Sequence, residues 1–294
     1  MMVTTSRAKT ADRQAALKKL LPLLKKHYKV PMPKTNQSVL ETLLYAVCLE
    51  GVSVEQADRS IERFHEAFPD LNEARVSQVS ELECVFPGDP DADWRGYRLR
   101  AVLQFVFEKS FTFEFESLRK KTMELAVKQL AKLKQVTPFV RSFTLQEAIG
   151  AHVVPVDTAM KNMLVWAGLA LPQQSEDEIG ESLKSVVRKA EAASFCAALR
   201  SAATDERIAD VFAGAKSGSA EDHDPGTAIE RLQELFGQAA TRGKLKVKAP
   251  KGKIEELKEK TPPAAKKSAP AHKPDAKKAL AKKSAKSAGR GKSS

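Results

Sequence analysis

The chain has 294 residues, 42% of them apolar and 29% charged, enough for a sizeable core in one large or two modest domains, and it carries a net charge of +12. No apolar run approaches the ~18 residues of a membrane helix, and the first residues, MMVTTSRAKTADRQ, lack the apolar stretch of a secretory leader, so an intracellular protein is expected. Cys48, Cys84 and Cys196 are odd in number and far apart, which excludes a disulfide framework and a CxxC metal knuckle.

In chain order the pattern is helical almost throughout, and the fold class read from it is all-α. Residues 1–11 read as a disordered basic N-terminus. Ala15 to Tyr28 sets Leu17, Leu20, Leu21, Leu24 and Tyr28 on one face opposite lysines, with Pro22 as an expected kink. VPMPKTNQS breaks the helix, and Ser38 is placed to cap the next one, Val39 to Leu49, which is apolar nearly all round. Val54 to Phe68 follows with Ala57, Ile61, Phe64 and Phe68 at helical spacing. Further helices are expected at Arg75–Cys84, Trp94–Phe107, Leu118–Leu133, Phe139–Ile149, Thr158–Ala167 and Glu176–Leu199. Strict alternation occurs only in Phe111 to Phe115, too little for a sheet, and the phenylalanines there read as packing residues. Trp94 and Trp166 read as core or interlobe residues. Residues 213–226 form a polar, glycine-rich linker. A short amphipathic helix at 227–238 follows, opened by a capping box at Thr227 and Glu230 and expected to dock on the body.

Charge divides the chain further. Residues 241–294 hold 18 Lys/Arg against 4 Asp/Glu, a net of +14, and residues 1–34 carry +8, leaving −10 on residues 35–240. The segment 239–294 has no aromatic residue and mostly alanine as its apolar content, so it is expected to be a disordered tail. Its Lys-Lys pairs spaced by Ala, Ser and Pro resemble the tails of linker-histone-like proteins. Lysines so arranged bind polyanions by releasing condensed counterions, which is sequence-independent and salt-sensitive. Lys266, Lys267, Lys277, Lys278, Lys282, Lys283, Lys286 and Arg290 are the tail's candidate phosphate contacts, and DNA is the partner they fit.

The run Val154-Pro155-Val156-Asp157-Thr158 carries a further signal. Leu133-Lys134-Gln135-Val136-Thr137 begins 24 residues before Asp157, and Gly96 to Ala101 opens a helix upstream. This order and spacing, over roughly residues 12–212, resemble the helix-hairpin-helix DNA glycosylase superfamily and especially its endonuclease III branch. The resemblance implies a two-lobed helical body, 35–155 forming the central lobe and 12–34 with 156–212 the second. A flipped nucleotide would be read between the lobes. It also implies that Asp157 is the carboxylate that stabilises a cationic sugar. Read from the residues alone, Asp157 is equally a helix N-cap. The hairpin and its flanks supply further candidate DNA contacts: Lys132, Lys134, Gln135, Thr137 and Arg141.

The chain departs from the family at several positions. Gln135 and Thr137 replace the two hairpin glycines, Phe139 stands at the Schiff-base lysine, and Asn162 replaces the arginine five residues after the aspartate. Glu50-Gly51 stands where members carry a duplex-probing glutamine. The four clustered cysteines of the family's iron–sulfur site are missing, so no cofactor and no metal is expected. The resemblance implies a DNA-binding protein of base-excision repair. If active, it would be a monofunctional N-glycosylase using Asp157 and water, without lyase activity. The alternative is a non-catalytic nucleoid- or chromatin-associated DNA-binding protein in which the glycosylase fold is vestigial.

Overall fold

The computed structural model describes residues 2–28, 37–214 and 224–247, with side chains for 10–28, 37–214 and 224–241. The tail residues from Lys266 to Arg290 lie outside the described residues, as does most of the 213–226 linker. Every described element is helical: α1 (Met2–His27), α2 (Val39–Leu49), α3 (Val54–Ala67), α4 (Leu71–Val76), α5 (Val79–Leu82), α6 (Ala92–Ser110), α7 (Met123–Leu130), α8 (Pro138–Ile149), α9 (Thr158–Trp166), α10 (Glu176–Lys184), α11 (Lys189–Ala203), α12 (Ala209–Ala213) and α13 (Ala228–Val247). No strand occurs among the described residues, and no helix there is long and apolar enough to cross a membrane.

Two hydrophobic cores organise these helices. The first gathers α2 to α8, from Val39 to Ala151. Helix α2 is its axis: ten of its eleven residues are buried, from Val39 to Leu49 with only Glu41 excepted. Each large apolar side chain taken from water there is worth about 1.5–3 kcal/mol before the entropy of ordering is charged against it. The second core joins α1, through Leu17, Leu20 and Leu24, to α9–α13, through residues such as Met163, Phe195, Phe212 and Phe236. The chain crosses between the cores once after α8, over Ala151 to Val154.

Caps set most boundaries. The hydroxyls of Ser38, Ser53, Thr122 and Thr137 and the carboxylates of Asp70 and Asp157 accept first-turn N–H groups of α2, α3, α7, α8, α4 and α9. Where the structure departs from the sequence reading, a local signal explains it. The single helix expected at 75–84 is split, because Gln78 sits in extended backbone and closes a capping box with Glu81. The one expected at 176–199 is likewise two, divided where Val186 and Val187 both donate to the Leu183 carbonyl. Helix α1 begins at Met2, so residues 2–11 are helical. Alanines and lysines favour that, and no Gly or Pro precedes Pro22. The helix continues past Pro22, which lies on the solvent side.

At 111–115 the alternating phenylalanines make turns. Phe111 takes a left-handed conformation (φ 55°) as the cap residue of α6, and Phe105, Phe107, Phe113 and Phe115 pack on one another. Trp94 is a second correction. It is 57% exposed, edge-on to Tyr97 on the first turn of α6, and belongs to neither core. Helix α13 docks on the second core through Ala228, Leu232, Phe236 and Ala239. Tyr28 meets the Phe236 ring edge-on, and Arg231 donates to the Ala167 carbonyl at 2.8 Å.

Candidate functional site

The two cores meet at the C-terminus of α2. The last carbonyls of a helix have no partner within it, and α2 ends deep in the molecule, so its ending needs donors from elsewhere. Two arginines supply them. Arg95 of α6 donates to the carbonyls of Val47 (2.7 Å) and Glu50 (2.6 Å), and Arg200 of α11 to that of Leu49 (2.7 Å). Both cations also lie at the negative end of the helix dipole. Gly51 follows in the left-handed conformation (φ 72°), which a side chain would strain.

Asp157 completes this junction. As N-cap of α9 it accepts the Met160 N–H on Oδ1 at 2.9 Å. Its Oδ2 accepts the Gly51 N–H at 2.9 Å and the Arg200 Nη1 at 2.6 Å. The residue is 1% exposed and Arg200 4%. The resemblance implies a carboxylate facing a sugar, and the residues alone an N-cap; in the structure the N-cap is formed and the carboxylate is buried. Both of its oxygens are engaged within the protein, Oδ1 by one N–H and Oδ2 by an N–H and a guanidinium. The reason lies in Arg200, whose charge needs a buried counterion. The guanidinium carbon also lies 4.7 Å from the ring centroid of Phe139, which is itself buried. Phe139 and Asp157 are therefore bridged by one arginine.

The remaining predicted residues surround this centre unevenly. Thr137 caps α8, accepting the Val140 N–H at 3.3 Å, and its presence beside Glu50 pulls that carboxyl downward. Arg141 is half-buried, and its Nη1 donates to the Val136 carbonyl at 3.0 Å, tying α8 to the hairpin. Lys132, Lys134 and Gln135 are exposed on the hairpin.

Four residues that matter here were not singled out from the sequence as site residues: Arg200, Arg95, Arg98 and Glu50. Glu50 bonds Arg98 at 2.8 Å. Burial pushes its carboxyl above the ordinary range, and the nearby Asp157 adds to this, against the opposing pull of Arg98, Thr137 and Arg95. A signal for Arg200 was present: one cation set in the small apolar run Ala197-Ala198-Leu199-Arg200-Ser201-Ala202-Ala203.

Beside this centre lies an open cleft of about 240 Å³, lined by Gly51, Ser53 and Gln56 from one lobe and Asn162, Thr204 and Phe212 from the other. Among the described residues no group of three His, Cys, Asp or Glu could hold a metal. The residues present do not fit an iron–sulfur cluster either. Cys196 is the one cysteine after residue 84, and burial pushes its thiol up to about 12, the reverse of what a thiolate ligand requires.

No protein-family model matches the chain, and no curated protein matches it. Solved structures to which it is similar include a trapped endonuclease III–DNA covalent intermediate in an estranged-adenine complex, at 13% identity and TM-score 0.48, covering 66% of this chain and 84% of that one. Another is the H. pylori 3-methyladenine DNA glycosylase (MagIII) bound to 1,N6-ethenoadenine, at 18% identity and TM-score 0.41, covering 78% of this chain and 96% of that one.

Proposed function

We propose that the chain is a DNA-binding protein on a base-excision-repair glycosylase-like scaffold whose centre is closed to base excision. One observation carries the reading: Arg200 occupies the junction of the lobes, neutralises Asp157 and covers Phe139. An excision centre needs a carboxylate facing the sugar and room for a water. Here the carboxylate is spent on holding the two cores together, and an aromatic stands where the lyase nucleophile would be. DNA as partner is supported by the basic ends, +14 and +8 around a body of −10. Their counterion release supplies affinity without reading sequence.

The test is incubation of the full chain with duplexes holding uracil, oxidised or alkylated bases, alongside duplex binding by fluorescence anisotropy across salt. The expected result is salt-sensitive binding with no released base and no borohydride-trapped adduct. Base release that disappears in Asp157→Asn would overturn the closed centre and restore monofunctional excision.

A further inference from the structure

We infer that the outer face of α3 carries a phosphate-binding pocket, formed by Gln56, Arg59, Ser60 and Arg63. This deepens the DNA reading, on which it rests, by assigning a contact to the body rather than to the basic ends.

These four residues stand at i, i+3, i+4 and i+7, one continuous stripe of a helix. Opposite them the turn after the first core's Val85 supplies Phe86, Pro87 and Asp89, and the space enclosed is about 130 Å³. Water occupies roughly 30 Å³ in the liquid, so the pocket has room for a tetrahedral oxyanion.

Arg59 and Arg63 differ from the other arginines of this lobe. Arg75, Arg95, Arg98 and Arg119 are each committed to specific oxygens of Gln104, Val47, Glu50 and Ala148. Arg59 and Arg63 make no hydrogen bond or ion pair with another described residue. Glu55 and Glu62 lie one turn from Arg59, and Glu66 lies one turn from Arg63, yet none of them closes on its neighbour. The remaining acidic wall is already neutralised, since Asp89 Oδ2 sits 2.7 Å from the Arg95 Nε. Two guanidiniums one turn apart, each presenting forked donors, with a hydroxyl and a carboxamide beside them, match the oxygens of a phosphate. On a body of net −10 this stripe offers a polyanion two adjacent cations that no carboxylate neutralises.

The position also matters. Gln56 lines both this pocket and the larger cleft between the lobes. A phosphodiester held at Arg59 and Arg63 therefore brings the adjoining nucleotide to the cleft mouth. Two sources share this chemistry, a backbone phosphate of DNA and a free phosphate.

The experiment compares the full chain with the double variant Arg59→Ala/Arg63→Ala and with Arg59→Lys/Arg63→Lys, all checked for unchanged thermal midpoint. Anisotropy of a labelled duplex is followed from 50 to 300 mM salt, and thermal shift is followed with inorganic pyrophosphate. The alanine variant is expected to bind duplex about tenfold more weakly, with a log–log salt slope shallower by roughly 1–2, and the lysine variant to keep the slope. A duplex slope and affinity unchanged in the alanine variant, while wild type binds, overturn the pocket as a DNA contact and leave the DNA reading intact. Absence of duplex binding by wild type overturns the DNA reading. Pyrophosphate then decides the pocket: a stabilisation lost only in the alanine variant assigns it to free phosphate, and none in either chain removes it.

Discussion

Asp157 and Arg200, 43 residues apart on α9 and α11, meet at 2.6 Å with neither exposed beyond a few per cent. Their pairing ties three elements into one unit. The aspartate caps α9 and holds the Gly51 amide, while the arginine holds the Leu49 carbonyl at the end of α2. Removing either partner strands a charge. Arg200→Met is expected to cost about 3–5 kcal/mol of unfolding free energy, because the carboxylate stays buried without its counterion. The double variant Asp157→Asn/Arg200→Met should recover much of that loss, with a coupling energy of about 2–3 kcal/mol in a urea double-mutant cycle. Additive losses would mean that the pair does not act as a unit.

Gly180 of α10 fits where no other residue does. A Cβ built on it falls 2.6 Å from the Val154 carbonyl oxygen, which is backbone and cannot swing aside. Gly180→Ala is expected to destabilise by about 1–3 kcal/mol, the cost of forcing packed elements apart. Gly237→Ala on the exposed side of α13, with nothing within 4 Å, should instead stabilise by about 0.5–1 kcal/mol. Thermal midpoints of the two variants should therefore move in opposite directions.

Two carboxyls give the stability curve opposite slopes. Burial raises the Asp205 carboxyl, but bonds from the Arg207 side chain and backbone and from the Tyr28 hydroxyl (3.0 Å) hold it below its ordinary value. A native value below the unfolded one stabilises above the unfolded range, near pH 4, and is lost as pH falls through the native value. Asp205→Asn should thus be weaker than wild type at pH 7 and approach it near pH 3. Glu50 has the reverse sign. Its raised value favours the native state at low pH, and that advantage disappears as pH rises through the native value. Relative to wild type, Glu50→Gln should gain urea-midpoint stability between pH 4 and pH 7.

Helix α13 is part of the second core rather than an appendage. Phe236→Ala removes a fully packed ring from between His27 and Tyr28. The expected loss is about 3–5 kcal/mol by chemical denaturation. Duplex affinity measured well below the melting temperature should stay within twofold.

Truncation after Val247 leaves both cores whole and removes 15 of the 18 basic residues of 241–294. Duplex affinity should fall more than tenfold and the salt slope should flatten markedly, since each lost phosphate contact subtracts about 0.9 from it. Equal affinity would mean that the body does the binding.

Much of the architecture was legible because it is local. The all-apolar run at 39–49 and its Ser38 cap define α2 to the residue, and the Asp157 cap does the same for the start of α9, whereas α8 starts at Pro138, one residue before the expected Phe139, because Thr137 caps it. Periodicity and capping act over a few residues, so the chain alone determines them. The splits at 77–78 and 185–188 were harder to read, because helical propensity continues through them; the Gln78–Glu81 capping box makes the first and backbone bonds to the Leu183 carbonyl the second.

The site was legible only in part. Spacing singled out Asp157, and its N–H acceptor role follows from position alone. Whether its other oxygen faces solvent or a guanidinium depends on Arg200, which reaches it from a helix that no local pattern links to it. The charge asymmetry of the chain and the helical identity of its elements are properties of sequence. The closing of Asp157, the commitment of Arg95 and Arg200 to α2, and the unpaired state of Arg59 and Arg63 belong to tertiary structure alone. An ion pair forms between groups that packing brings within about 3 Å, and sequence separation does not encode that distance.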